Sequence, residues 1–185
     1  MTTTEKIAAT YLRLNGFLLL PLFTVFDGDQ HNHLDLLGVR SPGSKEEVNN
    51  KAFLTDDKLF EGLEKLGAKP KEKLTGIVSE VKTGKVKGAI TAGHIAYAAR
   101  FLSTDVVYPA WFYKISAQSP FVADNHLQIS LPYAIDWIIS RFDWMEREEN
   151  KTALTKSGSW TWSEEFLADL LVLRSLGVLK RLPTT

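Results

Sequence analysis

Cysteine is absent from the sequence, which excludes a disulfide scaffold, a thiolate zinc site and a cysteine nucleophile, and suits a reducing compartment such as the cytosol. Charge of one sign is not in excess either. The 22 Lys and Arg residues balance 22 Asp and Glu residues, so there is no general positive coat for gripping nucleic acid, and any such contact has to come from a local patch. Long hydrophobic runs are missing as well. The apolar stretch from Phe17 to Phe26 is shorter than the roughly 20 residues of a spanning helix, contains Pro21 and follows a polar start without a basic segment. The expectation is a soluble, cytoplasmic protein with no membrane partner.

What is present supports one domain over residues 1–185, long enough to bury about 70% of the surface that the unfolded chain exposes. Thr4 is placed to cap a first helix running to about Asn15, with Ile7, Ala8, Tyr11 and Leu14 on one stripe and Gly16 as its left-handed terminator. Phe17 to Phe26 and His33 to Arg40 read as the two strands of a hairpin around the polar turn Asp27 to Asn32. A charged excursion follows from about 41 to 74, with a short helix at Asp56 to Leu66 carried by Leu59, Phe60, Leu63 and Leu66. Gly76 to Lys82 forms the next strand, and a helix over Ala89 to Leu102 is expected to pack through Ile90, His94, Tyr97 and Phe101.

Beyond that helix, Val106 to Ile115 reads as an aromatic-rich strand interrupted by Pro109, and His126 to Leu131 as a short edge strand. From about residue 132 the chain is helical: Pro132 opens one helix, with Ile135, Ile138, Ile139 and Phe142 as its buried stripe, and Ser163 caps another that carries Phe166, Leu167, Leu170, Leu171 and Leu173. These stripes pack on the core or on a second subunit, which leaves room for a homodimer.

Two charges close a strand that is otherwise apolar. Alternation puts Glu80 and Lys82 on one face of Gly76 to Lys82, about 6.6 Å apart along the strand, so both can converge on one bound group without being forced into a direct ion pair. Upstream, the run His33-Leu34-Asp35-Leu36-Leu37 carries an acid within apolar neighbours. The two runs together resemble the Asp…Glu-x-Lys core of the PD-(D/E)XK (restriction-endonuclease-like) nuclease superfamily. Leu34 stands where many members have proline, and 44 residues separate Asp35 from Glu80, more than the compact spacing typical of the superfamily.

The resemblance implies an α/β fold with a central mixed sheet flanked by helices, to which this chain adds C-terminal helices. It also implies a nuclease, endo- or exo-acting, that hydrolyses phosphodiester bonds, of DNA in preference to RNA. Asp35 and Glu80 would hold Mg²⁺ or Mn²⁺, and Lys82 would stabilise the reacting phosphate or orient water. Members often lend a first-helix acid to the metal shell, which points to Glu5; a solvated Glu favouring the helix dipole is the alternative there. Lys85, Lys87 and Arg100 form a candidate phosphate-positioning patch, with Lys69, Lys71 and Lys73 as an extension; a solubilising cluster explains them equally.

Other chemistry-bearing residues have plainer readings. His94 fits a hydrogen-bonded boundary histidine. Asp27 to His33 fails as a calcium loop, with Asn32 where glycine belongs and Gly38 where the bidentate Glu belongs, and reads as a turn, although His33 shares strand parity with Asp35. Trp160 and Trp162 could stack on bases, but fit core filling better. The rival to a nuclease is a catalytically inactive domain of the same fold that binds nucleic acid or a protein partner.

Overall fold

The computed structural model describes residues 1–27, 30–44, 47–48, 51–52, 54–82, 90–104, 106–114 and 119–146. In chain order the elements are α1 (Thr3–Leu14), β1 (Leu18–Asp27), β2 (Gln30–Arg40), β3 (Glu47–Val48), β4 (Lys51–Ala52), α2 (Asp57–Lys65), β5 (Thr75–Lys82), α3 (Ala92–Leu102), β6 (Val107–Tyr113), β7 (Phe121–Ala123), β8 (His126–Ser130) and α4 (Leu131–Glu146). Six strands form one mixed sheet in the order β1-β2-β5-β6-β8-β7, and β3 pairs with β4 alone. The first three are an antiparallel meander; β6 then runs parallel to β5, and β8 parallel to β6. The parallel β5–β6 pair needs a crossover, and α3 supplies it.

Helices cover both faces. Ile7, Tyr11 and Leu12 of α1, Leu59 and Leu63 of α2 and Trp137 and Ile138 of α4 pack with Leu36, Ile77, Phe112, Leu127 and Ile129 of the sheet. On the other face Ala98 of α3 joins Phe23, Val25, Leu34, Leu37, Val78 and Val107. Among the described residues no helix is long and apolar enough to cross a membrane.

Several element ends differ from the sequence expectation. Thr2, not Thr4, caps α1, because Glu5 lies three residues beyond Thr2 and completes a reciprocal capping box: Glu5 N–H donates to Thr2 Oγ1 at 3.3 Å and Thr2 N–H to Glu5 Oε2 at 2.9 Å. Gly16 does terminate the helix region, at φ +85°. Thr91 caps α3, so Ile90 is buried ahead of the helix, and the residues packed on the sheet include Ile95, Ala98 and Leu102 together with the expected Tyr97. Phe101 is 56% exposed instead of buried.

β8 is an interior strand, not an edge: Asp124 and Asn125 both take positive φ (48° and 58°) and turn the chain so that β7 covers it. In α4, Ile138 and Ile139 are buried as expected and Ile135 is half-buried. The side chain of Phe142 and the helix expected after Ser163 lie outside the described residues. Ile138 is 1% exposed, and Ile138→Ala is expected to lower stability by about 2–5 kcal/mol in denaturant titrations.

Candidate active site

Strand alternation breaks at one level of the β1–β2 hairpin. Leu22 takes φ +52°, unusual for a bulky residue, and the pairing passes from Pro21↔Leu36 to Phe23↔Leu34 across Leu22 and Asp35. Leu36 packs under α1 while Leu34, two residues away, packs on the α3 side, so the strand changes faces at Asp35. The β2–β5 ladder ends at the same level, with Leu36↔Ser79 as its last pair. Beyond it a side chain replaces the backbone partner: the Val81 N–H donates to Asp35 Oδ2 at 2.6 Å. Asp35 therefore sits in a gap between two strands, facing the next residues of β5.

Those residues are Glu80 and Lys82, both on the α3 side of the sheet, in register with Trp111 and Tyr113 of β6. Lys82 Nζ donates directly to Glu80 Oε2, where the strand spacing alone had left room between them. The side chains are only 22% and 13% exposed, and the reduced effective dielectric strengthens the attraction that closes the pair. Glu5, from the first turn of α1, and His94, from the first turn of α3, border the gap closely enough to act on the two carboxyls electrostatically. Both belong to capping boxes: Glu5 with Thr2, and His94 with Thr91, whose N–H donates to His94 Nδ1 at 3.3 Å.

The electrostatics favour protonation or a bound cation. Burial raises the Asp35 carboxyl above its usual range; the Val81 N–H opposes this, Glu5 adds to it and Lys82 counters it. Burial also raises Glu80, with Lys82 opposing, Asp35 adding and His94 opposing. Two half-buried carboxylates that repel each other are relieved by a shared positive ion. Among the described residues no three His, Asp or Glu side chains cluster as a metal cage. The pair nonetheless fits Mg²⁺ or Mn²⁺, since such hard ions take one or two carboxylates and fill the remaining positions with water and substrate phosphate.

The other expected contacts are dispersed. Arg100 lies in the last turn of α3, about 9 Å further along the helix than His94, with its guanidinium over Tyr97 at 5.9 Å. Lys69, Lys71 and Lys73 precede the start of β5, about 23 Å of strand from Lys82. His33 is exposed, with Nδ1 3.1 Å from Thr24 Oγ1. Lys85, Lys87, Trp160 and Trp162 lie outside the described residues, as do Gly28 and Asp29 of the polar turn.

Two features had no clear sequence signal. Trp111 and Tyr113 share a face with Glu80 and Lys82 only through the β5–β6 register. Asp56, 3% exposed, caps α2 and also receives the hydroxyls of Tyr11 and Tyr133, the latter at 3.0 Å, joining α1, α2 and α4. Its position just ahead of an apolar helix marks it as a cap; nothing local marks the two tyrosines. Cavities of about 640 Å³ beside Arg40, Phe60 and Glu64 and about 380 Å³ beside Lys73, Thr75 and Tyr108 are separate from the Asp35–Glu80–Lys82 site. Compared with known proteins, the chain matches no family model, no curated protein and no solved structure.

Proposed function

We propose that the chain is a metal-dependent nuclease of the PD-(D/E)XK type, hydrolysing phosphodiester bonds, of DNA in preference to RNA. The observation that carries this reading is the gap between β2 and β5, where Asp35 and Glu80 on adjacent strands face a common half-buried space with Lys82 at its rim. The element order, a helix, an antiparallel meander, a crossover helix and a parallel strand, is consistent with a restriction-endonuclease-like core.

In this mechanism Asp35 and Glu80 would hold Mg²⁺ or Mn²⁺, which would supply Lewis-acid polarisation of a phosphoryl oxygen and a lowered pKa for bound water. Lys82 turns from Glu80 to the phosphate, where its ammonium stabilises charge developing on the phosphoryl oxygens or orients the attacking water. Asp35 keeps its Val81 hydrogen bond through one oxygen and has the other to offer.

A second reading has an observation in its favour. The direct Lys82–Glu80 pair and the Asp35–Val81 bond already occupy part of each group's capacity, as in a domain of this fold that binds nucleic acid or a protein without cutting it. Thermal unfolding with added Mg²⁺ or Mn²⁺ separates a metal site from a purely structural cluster. Ion at a hundredfold above its dissociation constant is expected to stabilise the protein by about 2.7 kcal/mol. Asp35→Asn keeps an acceptor for Val81 and is expected to lose that gain. Equal metal responses from the parent and Asp35→Asn would remove Asp35 from the site.

A further inference from the structure

The sheet continues past Glu80 and Lys82 on the same face. Trp111 and Tyr113 lie in register with them on β6, and Gln128 lies in register with Trp111 on β8. His126, two residues before Gln128, shares that face and lies against Trp111, with ring centroids 4.8 Å apart and the rings tilted by 48°. Tyr113 meets Trp111 edge-on, with ring centroids 5.8 Å apart. Among the described elements α3 packs on β1, β5 and β6, so this aromatic shelf runs outward from beneath it, and Trp111, Tyr113, His126 and Gln128 are all partly exposed. Two strand spacings, about 10 Å, separate the Glu80 strand from the His126 strand.

The shelf is also incomplete as a hydrogen-bonding surface. Trp111 Nε1 and His126 Nε2 are shielded from water and have no partner, an arrangement that native proteins rarely leave unexplained. His126 Nδ1 lies 2.6 Å from the Asp124 carbonyl oxygen; that contact makes Nδ1 the protonated nitrogen and Nε2 an acceptor. The shelf thus holds one N–H donor and one ring-nitrogen acceptor side by side, on side-chain torsions that swing softly. The exposed Asp124 stands at its rim, close enough for its charge to act on Tyr113. A phosphate is disfavoured there; a neutral planar ring with donors and acceptors along its edge is suited.

We infer that Trp111 and His126 form a stacking subsite for an unpaired nucleobase whose phosphate lies at Glu80 and Lys82. The substrate class is therefore nucleic acid with unstacked bases, single strands or splayed ends, in preference to intact duplex. This rests on the nuclease reading of Glu80 and Lys82. A base buried in a duplex cannot present its face to Trp111, whereas every unpaired base can.

The test uses single-stranded DNA carrying 2-aminopurine and a blunt duplex of the same sequence, with EDTA present to prevent metal-dependent cutting. The parent protein is expected to bind the single strand more tightly and to quench the 2-aminopurine. Trp111→Leu and His126→Leu are each expected to weaken single-strand binding by about 5- to 150-fold, to abolish quenching and to leave duplex binding within about twofold. Trp111→Phe, which keeps a stacking ring, is expected to retain the quenching and most of the affinity.

Equal affinity of the parent for both DNAs, or a Trp111→Phe loss as large as that of Trp111→Leu, overturns the subsite. If either result accompanies metal-dependent cleavage, the nuclease reading stands and the shelf alone falls. If no nucleic acid is bound or cut, both fall.

Discussion

If the proposed nuclease reading holds, Glu80→Gln is expected to lower divalent-dependent cleavage by at least about a thousandfold, because it would remove one of the two carboxylates proposed to hold the ion and so the charge stabilisation the ion would supply. Stability should move the other way. Burial raises the folded-state pKa of Glu80 above its ordinary value of 4.5. From about that pH upward, to the raised value, the native state holds a proton that the unfolded chain has lost. Stability therefore falls as pH rises through this window and stays lower above it. Glutamine removes that penalty and still offers Lys82 an acceptor. Melting in EDTA at pH 7 should be unchanged or higher for Glu80→Gln, with a shallower fall as pH rises above 4.5. Cleavage at the parental rate by the purified variant would sink the catalytic assignment.

Asp56→Ala is expected to cost about 2–4 kcal/mol, a cap loss of about 1 plus the penalty of leaving the buried Tyr11 hydroxyl without its acceptor. Tyr11 is 0% exposed and packs edge-on against Phe112 and Trp137, at 6.0 and 5.4 Å between centroids, so water cannot replace Asp56 there. The Asp56 backbone N–H also donates to Asn15 Oδ1 at 2.8 Å, and Asn15 Nδ2 to the Tyr11 carbonyl at 2.9 Å, which ties the end of α1 to the start of α2. Tyr11→Phe removes the donor and its need together, and is expected to cost only about 1 kcal/mol. In the double variant the two losses should sum to less than their separate values. Urea titration of the four proteins measures this coupling; an Asp56→Ala change below about 0.5 kcal/mol would show that the network does not hold the helices.

Much of the local structure was legible. Thr2 with Glu5 and Thr91 with His94 are local pairs, so the only uncertainty at α1 was which threonine of Thr2-Thr3-Thr4 would cap. The apolar character of Gly76 to Val81 marked a buried strand, and the charges at its end marked the candidate site. The interior position of β8 was not legible, because it depends on three residues of β7 folding back through Asp124-Asn125, a turn too short to stand out among aromatic neighbours. Nor was the exposure of Phe101, which lies against Phe23 at 4.9 Å between ring centroids yet stays 56% exposed, because the seating of α3 on the sheet decides how much of that side chain is covered.

By itself the sequence determined which residues could do chemistry: an acid in an apolar run, and an acid and a lysine on one face of a strand. It also determined, through the absence of cysteine and the even charge, what they could not do. Tertiary structure alone decided that Asp35 meets β5 where the ladder ends, that Lys82 reaches Glu80 directly, and that Trp111 and His126 extend the same face. The physical reason is that strand parity is a local property, fixed every two residues by the backbone, whereas register joins segments far apart in the chain. Asp35 and Val81 are 46 residues apart, and only the packing of the intervening hairpin, helix and sheet brings that carboxylate to that amide.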